Sequence, residues 1–235
     1  MNGRAEPRHW VVIPAAGQGT RMGRGQPKQY LPLAGEPLLA HVLRRFVGHP
    51  AVSGIVVALA PGDTAWEGID AALREAVTVV DGGAERADSV RRGLAALVDR
   101  GDEHDWVLVH DAARPCLRRD DLDALLATLD DDPVGGILAV PARDTLKRVT
   151  GGRIAETVPR EALWHAQTPQ MFRLGLLRDA LVAHPDVTDE AMAVERAGHV
   201  ARVVEGHADN LKVTRPEDLA LAAWYIEREV TARCA

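Results

Sequence analysis

Three cations, Arg21, Arg24 and Lys28, follow closely on a run of small residues, Ala15, Ala16, Gly17 and Gly19. Residues without bulky side chains let backbone N–H groups close on an anion and form a concave nest of partial positive charge. The cations downstream add full charge without blocking that approach, so the stretch reads as a triphosphate cradle. Two better-known phosphate patterns do not fit. The dinucleotide fingerprint G-x-G-x-x-G would need glycine at 22, where this chain has Met22, and no G-x-x-x-x-G-K-[S/T] string is present. A nicotinamide dehydrogenase and a P-loop kinase are both disfavoured.

Positioning this cradle requires a strand before it. The run Trp10, Val11, Val12, Ile13 is apolar on both faces, as in a buried parallel strand, and Pro14 ends it because proline gives no N–H to a ladder. Similar apolar runs at 55–59, 77–80, 106–109 and 136–140 predict further strands. Helical spacing predicts helices near 38–46, 64–75, 90–98, 120–129, 174–184, 188–196 and a last one through 225 to about 231. Thr214 and Glu217 fit a capping box opening that last helix. The pattern is an α/β fold, a mostly parallel Rossmann-like sheet flanked by helices, in a single domain spanning 1–235. Ligands of such sheets bind outside the carboxyl ends of the strands. The first loop, the turn at 81–89 and the pair His110-Asp111 at the end of the fourth strand therefore belong on one rim.

The string PAAGQGTRM followed by PKQY resembles the signature loop of the nucleotidyltransferases that activate phosphorylated sugars and polyols. Within that superfamily it is most similar to the 2-C-methyl-D-erythritol 4-phosphate cytidylyltransferases of the non-mevalonate isoprenoid pathway. Six further blocks match that family in order: DGGAERADSV at 81–90, VLVHDAARP at 107–115, ARDTLKR at 142–148, LWHAQTPQ at 163–170, TDEA at 188–191 and ADNLKVTRPEDLALA at 209–223. The resemblance covers most of the chain and implies transfer of CMP from CTP to a polyol phosphate with release of pyrophosphate.

That reaction needs no general base, because a phosphate monoester with a second pKa near ~6 is already largely dianionic at neutral pH. It needs charge neutralisation and in-line positioning. The resemblance gives the first role to Arg21 and Lys28 at the α-phosphate of CTP, and makes Arg160 and Lys212 ligands of the acceptor phosphate. The CTP cradle it implies comprises Ala15, Ala16, Gly17, Gly19, Gly83, Ser89 and Ala112, with backbone groups reading the base. The family often carries aspartate just after the DGG turn, where this chain has Ala84. The acceptor pocket it implies includes Arg114, Thr145, Thr168 and Thr188. Mg²⁺ takes one or two carboxylates beside phosphate oxygens. Asp111 is therefore the expected metal ligand and Asp209 a second candidate, while His110 reads as a structural hydrogen-bonding residue.

Residues 141–164 alternate charge with β-formers around Gly151-Gly152, predicting a projecting hairpin. In the resembled family this arm embraces a second subunit, so a homodimer is expected, with Arg160 and Thr145 serving the neighbour's site. The net charge of −6 gives no basic surplus for nucleic acid, and no apolar run is long enough for a membrane span. Two cysteines, Cys116 and Cys234, make neither a disulfide framework nor a zinc site, and with no signal peptide at the start a cytoplasmic protein is expected. A sibling transferase acting on ribitol 5-phosphate, or a non-catalytic nucleotide-binding module, are the competing readings.

Overall fold

The computed structural model describes residues 6–17 and 27–234. Its centre is a seven-stranded sheet built from β1 (His9–Ala15), β4 (Val52–Leu59), β5 (Thr78–Asp81), β6 (Trp106–Val109), β7 (Gly135–Pro141), β10 (Trp164–Arg173) and β11 (Arg202–Glu205), in the order β11-β7-β10-β6-β1-β4-β5. Pairings of β1 with β4 and β6, β4 with β5, and β11 with β7 are parallel; β10 runs antiparallel to both its neighbours. Helices cover both faces, which is why the first strands read as unbroken apolar runs. Val11 and Ile13 face a layer formed by α1 (Leu38–Arg44), α4 (Arg119–Leu129) and α7 (Pro216–Cys234), while Val12 faces α3 (Arg86–Ala95), α5 (Leu174–Ala183) and α6 (Glu190–Arg196). The period-two alternation of a strand thus divides one apolar segment between two cores.

Five features depart from the sequence reading. Strand β1 runs through Pro14 to Ala15, in register with Ala58 and Leu59, because proline lacks the N–H but keeps its carbonyl and an extended backbone. Strand β10 is not among the expected strands, because Gln167, Thr168, Pro169 and Gln170 interrupt it with polar residues and a proline. The residues from Gln167 to Phe172 are nevertheless buried, in the middle of the sheet. The helix expected over 64–75 divides into a 3₁₀ turn, Thr64–Gly68, and α2 (Ala71–Glu75), because Asp70 caps a new helix by accepting from Ala72 N and Leu73 N. The helix expected over 188–196 starts at Glu190, because Asp189 caps α6 by accepting from Met192 N at 3.0 Å. The carboxylate opening α7 belongs to Asp218, which accepts from Thr214 N, Thr214 Oγ1 and Arg215 N. Glu217 points instead towards Arg215.

The expected hairpin is present as β8 (Leu146–Thr150) and β9 (Arg153–Val158), an antiparallel pair outside the main sheet. Both turn glycines take positive φ, 56° at Gly151 and 75° at Gly152, as a two-residue primed turn demands. Almost all of the hairpin is exposed, including Val149 and Ile154. A shorter hairpin, β2 (Pro32–Leu33) with β3 (Glu36–Pro37), leads into α1.

Candidate active site

The parallel strands β1, β4, β5 and β6 end on the same edge of the sheet, and a cavity of about 260 Å³ opens there. Its floor is the end of β1, Pro14 to Gly17. The 3₁₀ segment Lys28–Tyr30 is fixed to this floor, because buried Gln29 donates Nε2–H to the Ala15 carbonyl at 2.7 Å. Tyr30, also buried, donates its hydroxyl to Asp63 at 2.8 Å. Lys28 is thereby carried to the cavity wall.

The second wall is the turn from 82 to 85 and the start of α3. Gly82 N–H bonds Leu59 O at 2.6 Å, and Gly83 N–H bonds Ser89 Oγ at 3.1 Å. A Cβ on Gly82 would lie 2.4 Å from the Ala16 Cβ, and one on Gly83 would lie 2.1 Å from the Asp88 Cβ. The two glycines let this turn close on the first loop, and a reciprocal Glu85–Asp88 capping box fixes its exit into α3.

Asp111 forms the third side. Its backbone N–H donates to Thr168 Oγ1 at 3.0 Å, its Oδ1 accepts from Arg86 Nε at 2.9 Å, and its Oδ2 lies 2.7 Å from Lys212 Nζ. Burial acts to raise this carboxyl, but Arg86 and then Lys212 outweigh burial and hold it well below the usual carboxylate range. Behind it, His110 is fully buried against the edge of Phe46. Its Nε2 faces the Arg114 carbonyl, which can only accept, so Nδ1 is the acceptor for the Thr168 hydroxyl. Burial lowers the His110 pKa to about 4, keeping it neutral. This is a structural histidine, as expected.

Most of the expected residues meet here. Ala15, Ala16, Gly17, Lys28, Gly83, Ser89, Asp111, Ala112 and Lys212 line the one cavity. Two larger depressions, of about 510 and 610 Å³, lie at the amino ends of β1, β4 and β5 and beside α7, and neither contains any of those nine residues. Arg21 and Gly19 lie outside the described residues. Arg114 sits behind the wall, donating to Asn210 O at 2.7 Å and to Ala166 O at 3.2 Å. Thr168 is buried and spends its hydroxyl on Asp111 and His110, so it supports the wall rather than lining it. Arg160, Thr145 and Thr188 are exposed and line no part of the cavity; Arg160 donates to the Arg143 carbonyl. Asp209 does not reach it either, being paired with Arg118 beside α7.

Two residues joined to the cavity wall escaped the sequence reading. Arg86 bonds Asp111 and forks onto Glu190, with Nη1 at 2.7 Å and Nη2 at 2.9 Å. Burial opposes its charge, yet Glu190 and Asp111 leave its pKa raised. Complete burial leaves the Glu190 carboxyl raised even against Arg86, but a two-pronged fork of N–H donors is satisfied only by the anion, and we assign Glu190 as charged. Both residues stand inside matched blocks, where they read as ordinary charges at helix starts. Among the described residues no cluster of three or more His, Cys, Asp or Glu side chains could hold a metal ion.

The family model described as 2-C-methyl-D-erythritol 4-phosphate cytidylyltransferase matches residues 9–228. A protein of that name from Pseudomonas putida (strain GB-1) is 57% identical over 219 residues, covering 91% of this chain and 93% of that one. One from Pseudomonas aeruginosa (strain UCBPP-PA14) is 56% identical over 219 residues, covering 91% and 94%. Among solved structures, a 4-diphosphocytidyl-2C-methyl-D-erythritol synthase superposes with a TM-score of 0.84 at 41% identity, covering 95% of this chain and 100% of that one. The cytidylyltransferase from Thermus thermophilus superposes with a TM-score of 0.77 at 31% identity, covering 92% and 98%. The cradle at the strand ends and the match along the chain agree: this protein belongs to the 2-C-methyl-D-erythritol 4-phosphate cytidylyltransferase family of nucleotidyltransferases.

Proposed function

We propose that the protein transfers CMP from CTP to 2-C-methyl-D-erythritol 4-phosphate, giving 4-diphosphocytidyl-2-C-methyl-D-erythritol and pyrophosphate, as a single nucleotidyltransferase domain. The observation that carries this reading is the meeting of Lys28, Lys212 and the backbone of Ala15 to Gly17 on one cavity at the carboxyl edge of the sheet. An oxygen of the acceptor phosphate attacks the α-phosphorus of CTP, a new P–O bond forms, and the bond to the β-phosphate oxygen breaks. Negative charge gathers on the α-phosphoryl oxygens and the departing pyrophosphate, and Lys28 with Arg21 offsets it, while Lys212 faces the acceptor phosphate. No side chain has to move a proton. Small residues at 15–17 and 83 leave main-chain groups facing a flat base, with Ser89 holding the turn.

Asp111 is ionised, and a single carboxylate suffices for a hard divalent cation such as Mg²⁺ where phosphate oxygens and water complete the shell; since Arg86 and Lys212 engage its two oxygens, the ion would have to share the carboxylate with Lys212 or take its place. Bound there, the ion would add positive charge against the triphosphate. Arg160 and Thr145 line no part of the cavity, and the hairpin beside them stands off the sheet with Val149 and Ile154 exposed. This supports a homodimer in which each arm brings Arg160 and Thr145 to the partner's acceptor pocket. No helix among the described residues is long and apolar enough to cross a membrane, and buried Cys116 is a free thiol, which supports a cytoplasmic enzyme.

The test is pyrophosphate release with CTP and Mg²⁺, offering 2-C-methyl-D-erythritol 4-phosphate and ribitol 5-phosphate in parallel. Release with the first alone is expected. Release only with ribitol 5-phosphate would keep the mechanism and replace the acceptor.

A further inference from the structure

Asp111 can serve the cavity only if the plane of its carboxylate is held, since partial rotation about χ2 would carry both oxygens out of line with Arg86 and Lys212. Around it the structure closes a ring of contacts. Arg86 Nε takes Oδ1 at 2.9 Å, leaving Oδ2 for Lys212 at 2.7 Å. Arg86 is itself gripped by the fork onto Glu190, whose side chain is 1% exposed. Glu190 opens α6, and that helix start is docked on β10: Gln170 donates Nε2–H to Asp189 at 2.9 Å and accepts from Ala191 N at 2.8 Å. Two residues earlier on the same strand, Thr168 takes the backbone N–H of Asp111. One central strand thus anchors Asp111 through its main chain directly and through its side chain by way of Glu190 and Arg86.

We infer that Arg86 and Glu190 are positioning residues for the transfer reaction: the fork between them fixes Arg86, which orients Asp111 so that Oδ2 holds Lys212 at the cavity. The inference rests on the proposed function for its kinetic consequence and on geometry alone for its structural one. A purely electrostatic role makes a different prediction. Asp111 and Glu190 set two negative charges against the three positive charges of Arg86, Arg114 and Lys212. Removing the charge of Glu190 would then make the cavity more positive and tighten CTP with kcat unchanged.

Glu190→Gln, which removes the charge and almost none of the volume, separates the two. Expected are a fall in kcat for pyrophosphate release of tenfold or more, a KM for CTP within threefold of the original, and a crystal structure in which the Asp111–Lys212 contact exceeds 3.5 Å. Arg86→Lys, which keeps a cation but loses the fork, carries the same expectation. Where a single change leaves an uncompensated buried charge and the chain does not fold, Arg86→Met with Glu190→Met replaces the pair by apolar side chains and asks the same question. A contact kept at hydrogen-bonding distance, or a kcat within twofold, overturns the inference. An unaltered protein that releases no pyrophosphate overturns the proposed function instead, and the Asp111–Lys212 separation still decides the geometric claim.

Discussion

The amide of Gln29 and the carbonyl of Ala15 meet at 2.7 Å, so the end of the first strand and the turn bearing Lys28 move as one piece. Gln29→Leu leaves that carbonyl without its side-chain donor. An unsatisfied buried acceptor costs about 1–3 kcal/mol. We expect a loss of that size in chemical denaturation together with a KM for CTP raised several-fold. Unchanged stability and KM would show that the Lys28–Tyr30 segment keeps its place without this bond.

Gly83→Ala forces a Cβ to within 2.1 Å of the Asp88 Cβ, a backbone-anchored atom that cannot swing aside. The turn must shift, at about 1–3 kcal/mol for overpacking. CTP affinity measured by calorimetry should fall tenfold or more while circular dichroism stays native. Affinity within twofold would remove this turn from the nucleotide site.

Lys28→Ala and Lys212→Ala each remove a cation from the cavity wall, and kcat should drop by about 10²–10³, the usual effect of deleting one transition-state charge partner. Arg160→Ala should instead raise KM for the acceptor more than for CTP. Equal changes in both constants would contradict its assignment to the acceptor phosphate.

The pH dependence of stability follows from His110. In the unfolded chain its pKa is 6.5, and in the fold burial lowers it to about 4. Between those values the unfolded state binds the extra proton, so stability present above pH 6.5 is lost as pH falls towards 4, by about 3 kcal/mol. His9 and His41 are lowered by burial as well and act in the same direction. Urea unfolding at pH 7 and 4.5 should therefore show a smaller loss for His110→Gln than for the unaltered protein. Equal losses would mean that His110 charges in the fold.

The central parallel strands β1, β4 and β6 were legible because burial on both faces writes an apolar run, as in Trp106-Val107-Leu108-Val109. The cradle was legible because an anion needs small residues and cations near each other in sequence. Strand β10 was hidden for the opposite reason. Gln167, Thr168 and Gln170 are buried polar residues whose partners, His207, Asp111 and Asp189, come from other segments. Arg86 and Glu190 are 104 residues apart, and nothing local distinguishes a buried fork from two solvated charges. The arginine cluster about Asp111 is a product of topology.

The place of β10 in the sheet also fixes an order of assembly. Strands β5, β4, β1 and β6 are adjacent in space and complete by residue 109, so a chain emerging from the ribosome can pair them early. Strand β7 is made next but has no neighbour among them, since β10 separates it from β6. A nascent chain halted near residue 160 would carry four paired strands of the main sheet, an unseated fifth, and an Asp111 with neither Thr168 nor Glu190 to hold it. The nucleotide floor is thus laid down well before the carboxylate that faces it is anchored, and CTP recognition should mature only after the last third of the polypeptide has been released.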